Sequence, residues 1–211
     1  MTENRWQRLG GACGVLYVAV VVAGFFTLTT PAADDPTGEI ARLIADDRTG
    51  HIAGVYLGGI AVVLFVAFVA ALAARARSVG ASAALVAAGT AVAVGWLVSS
   101  AVTLALVQSA HEGREIAAVR ALFELDEVTI LPFGFAVAAF LAAAATVGAL
   151  PRPLRWTAGV LGVLVAVGLL GLFSDDEEEG GVLGIAFTVG LLAHYLWALA
   201  AGGVMLRGRG G

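Results

Sequence analysis

Lysine is absent from this sequence, and charge of either sign is scarce. Without lysine the chain can build no Schiff-base enzyme and no lysine-linked retinal pigment. A single cysteine, Cys13, excludes an intrachain disulfide and any paired-cysteine redox or zinc motif. Three histidines with no cysteine cluster leave no pattern for a metal site, and none is expected. Charged residues make up 13% of the chain and hydrophobic ones 60%, where a soluble domain has about 25% and about 45–50%. With a mean hydropathy of +0.93, a water-facing surface cannot be assembled from these residues.

What is present is a series of long apolar runs, at 9–29, 52–73, 82–106, 128–149, 156–173 and 182–205. Every Arg, Asp and Glu lies outside them. A charge at the centre of a membrane helix costs about 2.5–3.5 kcal/mol on insertion scales, so this segregation is what a bilayer imposes. The runs are too long for strands and lack apolar/polar alternation. Each matches the roughly 20 residues that cross about 30 Å of hydrocarbon. The expected fold is therefore all-α: one transmembrane domain over residues 1–211, six helices arranged as three hairpins.

Arginine placement orients the bundle. Arg5, Arg8, Arg75, Arg77, Arg152, Arg155, Arg207 and Arg209 fall on one side of the membrane, accompanied only by Glu3. The other side carries Arg42, Arg48, Arg114 and Arg120 against fifteen carboxylates. The sides differ as +7 and −11, which together make the −4 of the whole chain. Arginines in short loops stay inside, so the expected location is the plasma membrane with both termini cytoplasmic. Arg5 and Arg8 ahead of an apolar stretch also suit a signal peptide. That stretch exceeds the usual 7–15 residues, and Pro31 stands where a small residue should precede cleavage, so a retained first span is expected. Cys13 precedes the apolar stretch and is not placed as a lipoprotein cysteine.

Two external loops carry amphipathic patterns. In 30–51, Asp35 is a candidate cap, Pro36 suits the first helical position, and Ile40, Leu43 and Ile44 share a face. In 108–127, Ser109 and Glu112 have capping-box spacing, and Ile116, Val119 and Phe123 form a stripe. Both segments are expected to be short helices at the outer interface. The third loop, Asp175-Asp176-Glu177-Glu178-Glu179, is expected to be a solvated turn too short for a helix.

The segment Gly38-Glu39-Ile40-Ala41-Arg42-Leu43-Ile44-Ala45-Asp46-Asp47-Arg48, followed by a span opening His51-Ile52-Ala53-Gly54, has a familiar layout. So does Ala149-Leu150-Pro151-Arg152, with Leu154-Arg155-Trp156 before the fifth run. Both resemble uncharacterised six-helix integral membrane proteins, of the domain-of-unknown-function kind, from GC-rich bacteria. The resemblance implies the same topology along essentially the whole chain. It implies no activity and no catalytic residue.

His194 is the one ionisable side chain inside a run. At 1.5 Å per residue it lies about 17 Å from the cytoplasmic end of its span. Tyr17 and Thr90 lie about 12 Å along theirs, which makes them its expected hydrogen-bond partners. An intramembrane ionisable group is a functional hypothesis. Its alternative is a neutral imidazole joining helices, worth about 0.6 kcal/mol. Pro132 and Gly134 near Asp126 and Glu127 could break the fourth helix beside an ion site, or Pro132 could simply occupy its first turn. His51 and His111 could join external acids in a weak metal site, although no ligand spacing supports it.

No buried carboxylate or arginine is available for ion coupling, and no nucleophile stands with a base. The expected function is therefore non-enzymatic: an accessory, scaffold or ligand-sensing bundle. Next come a carrier or binding protein for an uncharged or lipid-like molecule, held by His194, Tyr17 and Thr90, and then an oligomeric ion channel. No cofactor and no nucleic-acid partner is expected. Membrane lipid, a second copy or a partner membrane protein is.

Overall fold

A computed structural model describes residues 3–27, 31–32, 35–173 and 177–207. Among them the chain is all-α. The elements are α1 (Glu3–Phe25), α2 (Thr37–Asp46), α3 (Arg48–Ala73), α4 (Val79–His111), α5 (Ile116–Val128), α6 (Ile130–Ala145), α7 (Arg152–Gly168) and α8 (Glu177–Arg207), with a 3₁₀ turn at Leu169–Phe173. Among the described residues six segments are long and apolar enough to cross a membrane: α1, α3, α4, α5 continued by α6, α7 with its 3₁₀ turn, and α8. The protein is a multi-pass helical bundle, as the apolar runs require.

The six long helices pack in chain order and close a ring. α1 packs on α3, α3 on α4, α4 on α6, α6 on α7, α7 on α8, and α8 returns to α1. Neighbours in sequence are thus neighbours in space, as short hairpin loops dictate. The closing contact depends on glycine. A Cβ on Gly11 would lie 2.7 Å from the Gly202 carbonyl oxygen, and one on Gly202 would lie 2.8 Å from that of Gly11. Only hydrogen at both positions lets α1 and α8 approach so closely. The outer surface of the ring is apolar, with Val63, Val66, Val160, Ile185 and Leu196 exposed, as lipid contact demands.

Aromatic rings fill the axis of the bundle. Tyr17 of α1 packs at a tilt on Phe65 of α3 at 5.1 Å, and Phe65 meets Phe140 of α6 edge-on at 5.2 Å. Phe140 meets Trp197 of α8 at 5.9 Å, and Trp197 meets Phe68 at 6.4 Å. Trp197 also donates its indole N–H to the Leu154 carbonyl at 2.8 Å, so its one polar atom is satisfied inside the apolar layer.

α2 and α5 form a cap over one end, the end opposite the arginine-rich loops. Ile40 and Ile44 of α2 and Val119 and Phe123 of α5 are buried against Leu106, Val107 and Ala110 at the end of α4. Taking each such side chain out of water contributes about 1.5–3 kcal/mol, which holds helices too short to stand alone. Both amphipathic segments are helical as expected, with three corrections. Asp35 does not cap α2: its carboxylate accepts from the Ala32 N–H at 2.8 Å, and Pro36 occupies the cap position. Ser109 and Glu112 form no capping box, because α4 continues to His111 and Ser109 is buried in its last turn. The chain there ends a helix instead of starting one. Gly113 adopts φ 62°, and Gly113 and Arg114 donate to the carbonyls of Ala110 and Ser109, a Schellman closure that only glycine makes without strain. Ile116, expected on the buried stripe of α5, is 60% exposed.

In the third loop, Asp175 and Asp176 lie outside the described residues. Glu177–Glu179 are helical and open α8, so the last helix includes three of the five residues of the acidic run, contrary to the expected turn. Pro132 lies in the first turn of α6. Its missing N–H and its ring separate α5 from α6 at Thr129, and the Thr129 hydroxyl donates to the Asp126 carbonyl at 2.6 Å.

Candidate functional site

Two of the three residues expected to act together are in contact. The Tyr17 hydroxyl lies 3.3 Å from Nε2 of His194, and both side chains are buried. Nδ1 of His194 lies 2.6 Å from the Leu191 carbonyl. A carbonyl can only accept, so Nδ1 carries the proton; in the neutral ring Nε2 accepts and Tyr17 donates. Both ring nitrogens are thereby satisfied. Thr90 is not part of this group. It sits on the exposed face of α4, and α4 packs on α3 and α6 within the ring. Equal depth in the membrane placed it level with His194, but it faces outward from a different wall.

Tyr195 takes the place that Thr90 was expected to hold. Its ring lies 4.0 Å from that of His194 and 5.8 Å from that of Tyr17. Trp96 of α4 approaches Tyr17 edge-on at 6.2 Å and crosses Phe133 of α6 at 90°. A Cβ on Gly58 would fall 2.8 Å from Nε1 of Trp96, so a glycine in α3 makes room for the indole. Together these rings form a floor across the bundle near mid-depth.

Above the floor, toward the cap, the bundle opens into two adjoining cavities. One, of about 440 Å³, is bounded by Trp96 and Ser99 of α4, Asp126 of α5, Thr129 at the α5–α6 junction, and Leu191 and Tyr195 of α8. The other, of about 220 Å³, lies between α1, α3 and α4 and is lined by Gly54, Gly58, His51, Ser100 and Thr103. Phe25, Trp96 and Ser99 belong to the walls of both. The larger reaches the two residues that flank the His194 ring: Tyr195 beside it, and Leu191, whose carbonyl holds it.

The polar groups of these walls are few and ordered. Thr103 Oγ1 lies 2.8 Å from Asp126 Oδ1 and 3.0 Å from the Ser99 carbonyl; its single proton goes to the carboxylate, the nearer and stronger acceptor. That bond ties α5 to α4. His51, 6% exposed, opens α3 and donates Nδ1–H to the Asp47 carbonyl at 2.9 Å, with the Asp47 carboxylate 3.9 Å away. His111 stands exposed at the end of α4. Among the described residues, no three His, Cys, Asp or Glu side chains gather as metal ligands.

Outside the spans, the cap surface carries its own ion pairs. Arg42 bridges Glu39, at 3.1 Å from Nε, and Asp46, at 3.0 Å from Nη1. Hydrogen bonding from Arg42 holds the Glu39 carboxyl below its ordinary 4.5. Gln108 and then Arg114 do the same for Glu112.

No family model, curated protein or solved structure matches this chain. The cavity geometry is what bears on function.

Proposed function

We propose that this protein is a non-enzymatic ligand-binding bundle of the cell membrane. In this reading it receives a small, uncharged and largely apolar molecule in the cavity beneath α2 and α5. The observation that carries the reading is the wall composition of the 440 Å³ cavity: aromatic and aliphatic over most of its surface, with Ser99, Asp126 and Tyr195 placed to meet one or two polar groups. Pockets for small molecules have this character. An anionic guest would meet Asp126 and Glu127 and no arginine in this wall, and burial of an unpaired charge is costly.

Sensing or storage fits better than transport. The aromatic floor of Tyr17, Trp96 and Tyr195 closes the cavity toward the arginine-rich end, and Phe65, Phe140 and Trp197 fill the axis beyond it. A channel along a single bundle would need that axis open. The arginine distribution favours both termini in the cytoplasm, which puts the cap and cavity on the outer side.

An uncharged, polarity-sensitive naphthyl ketone dye tests the reading. Titrated into the purified full-length protein, it should show a saturable blue shift with one site per chain. Ser99→Trp, which fills the shared wall, should abolish the shift. Val98→Trp adds the same ring one residue away on the exposed face and should leave it intact. Equal signals from both variants would show that the dye reports detergent and not this cavity.

A further inference from the structure

A second cavity-like feature lies at the opposite end of the molecule, in a groove on α7 against the end of α6. Its volume is about 740 Å³, and it is lined by Ala145, Arg152, Arg155, Trp156, Gly159, Val160 and Val163. The α7 residues follow one another at spacings of three, one, three, one and three, so they form a single stripe up one helix face. From Arg152 to Val163 that stripe is about 16 Å long, close to half of a hydrocarbon core of about 30 Å. It begins with two guanidinium groups, passes an indole, and ends in exposed valines at the depth of acyl chains.

Arg155 is built into the groove, and Arg152 stands exposed at its mouth. Arg155 donates Nε–H to the Ala145 carbonyl at 3.0 Å, an otherwise unpaired carbonyl at the end of α6, and this pins the guanidinium across the gap between helices. Among the described residues neither Arg152 nor Arg155 is in an ion pair. Arg77 lies over Gly148 in the adjoining loop, with its Cδ 3.0 Å from where a Cβ would be. This end of the molecule therefore concentrates positive charge, with Glu3 the one Asp or Glu that the sequence puts on that side. Trp156, 66% exposed, lies where indoles settle at the headgroup level.

We infer that this groove binds one anionic glycerophospholipid, with its phosphate between Arg152 and Arg155 and an acyl chain along Gly159, Val160 and Val163. Charge complementarity selects the headgroup, and the apolar length of the stripe selects a lipid over a free phosphate ion. Basic pockets between helices recognise anionic headgroups in this way. The site is separate from the cavity under the cap and does not depend on a ligand being bound there.

Native mass spectrometry of the intact chain, released from detergent after addition of phosphatidylglycerol or phosphatidylcholine, tests the inference. The unmodified protein should retain the first about tenfold more than the second, since each nearby basic residue is worth about 1 kcal/mol. Arg152→Gln, at an exposed position with no side-chain bond to lose among the described residues, should lower phosphatidylglycerol retention about fivefold and leave phosphatidylcholine unchanged. Gly159→Trp should lower retention of both by filling the tail path. Inorganic phosphate in excess should not displace the lipid. Equal retention of the two lipids, no effect of Arg152→Gln, or displacement by phosphate would each overturn the proposal.

Discussion

Tyr17 and His194 join the first and last spanning helices, the hydroxyl of one 3.3 Å from Nε2 of the other, across 177 residues of sequence. The bond spans the seam where the ring closes, a few turns from the Gly11–Gly202 contact. Position, burial and complete hydrogen bonding at both ring nitrogens describe an interhelical tie.

The substitutions that test this tie differ in what they leave behind. His194→Gln keeps an amide able to accept from Tyr17 and should change the unfolding midpoint in detergent little. His194→Leu removes the imidazole acceptor, leaving the Tyr17 hydroxyl only Tyr195 to bond, and should cost at most about 1–2 kcal/mol. A double-mutant cycle with Tyr17→Phe should give a coupling of about 0.6 kcal/mol, and no more than about 1.7. A coupling of zero would mean that the two side chains are neighbours without a bond.

The α1–α8 seam makes a stronger demand. Gly202→Leu drives a side chain into the Gly11 carbonyl, and overpacking of this kind costs about 1–3 kcal/mol. The variant should show a lowered thermal midpoint and freer exchange in both helices. Gly203→Leu is the control, since nothing lies within 4 Å of where its Cβ would be. It should behave as the parent protein. Equal loss in both would show that a bulky side chain anywhere on this helix, and not the seam, is responsible, since leucine forms helix better than glycine.

The cap should respond to acid. Glu39 and Glu112 have carboxyls held below their ordinary 4.5 by hydrogen bonds in the folded cap. A group depressed on folding stabilises the fold above its unfolded value, and that contribution is lost as pH falls through the folded one. Amide exchange in α2 and around Gly113 should therefore rise as pH drops below about 4.5, after correction for intrinsic rates, while α1 and α8 stay protected. Arg42→Gln should remove much of the response in α2. Both carboxylates are at the surface, so screening keeps the effect small and added salt should shrink it.

The spans were legible because a bilayer excludes charge so strongly that hydropathy alone marks them. Their ends were harder. Ser109 and Glu112 satisfy a capping-box spacing, but Leu106, Val107 and Ala110 continue a buried face past that point, and packing prevailed over the local motif. The Tyr17–His194 pair was found by matching depths, which are set by rise along the helix. Thr90 failed by the same method, because depth carries no information about which wall a helix face joins. Ser99, Ser100 and Thr103 of the cavity carry a weaker signal: with Trp96 they recur at intervals that put them on one helix face. Tyr195 had no periodic signature; only the fold brings it under the cavity.

Sidedness is the property on which the proposed function most depends, since it decides which compartment the cavity opens to. It rests on the sequence distribution of eight arginines on one side of the six apolar runs and fifteen carboxylates on the other. In a Cys13→Ala background, Asp46→Cys at the end of α2 and Glu177→Cys in the first turn of α8 should react with an impermeant thiol reagent added to intact cells. Ala76→Cys and Pro153→Cys, in the arginine-rich loops, should react only after permeabilisation. The structure pairs these positions by end, with α2 at the cap and the α3–α4 and α6–α7 connections at the opposite pole, so the four results are not independent. A clean reversal would leave the fold intact and turn the cavity toward the cytoplasm, making an intracellular ligand the one to seek. Labelling at 177 without labelling at 46 would be more damaging. It would place α2 and the start of α8 on opposite sides, which no six-span ring can accommodate.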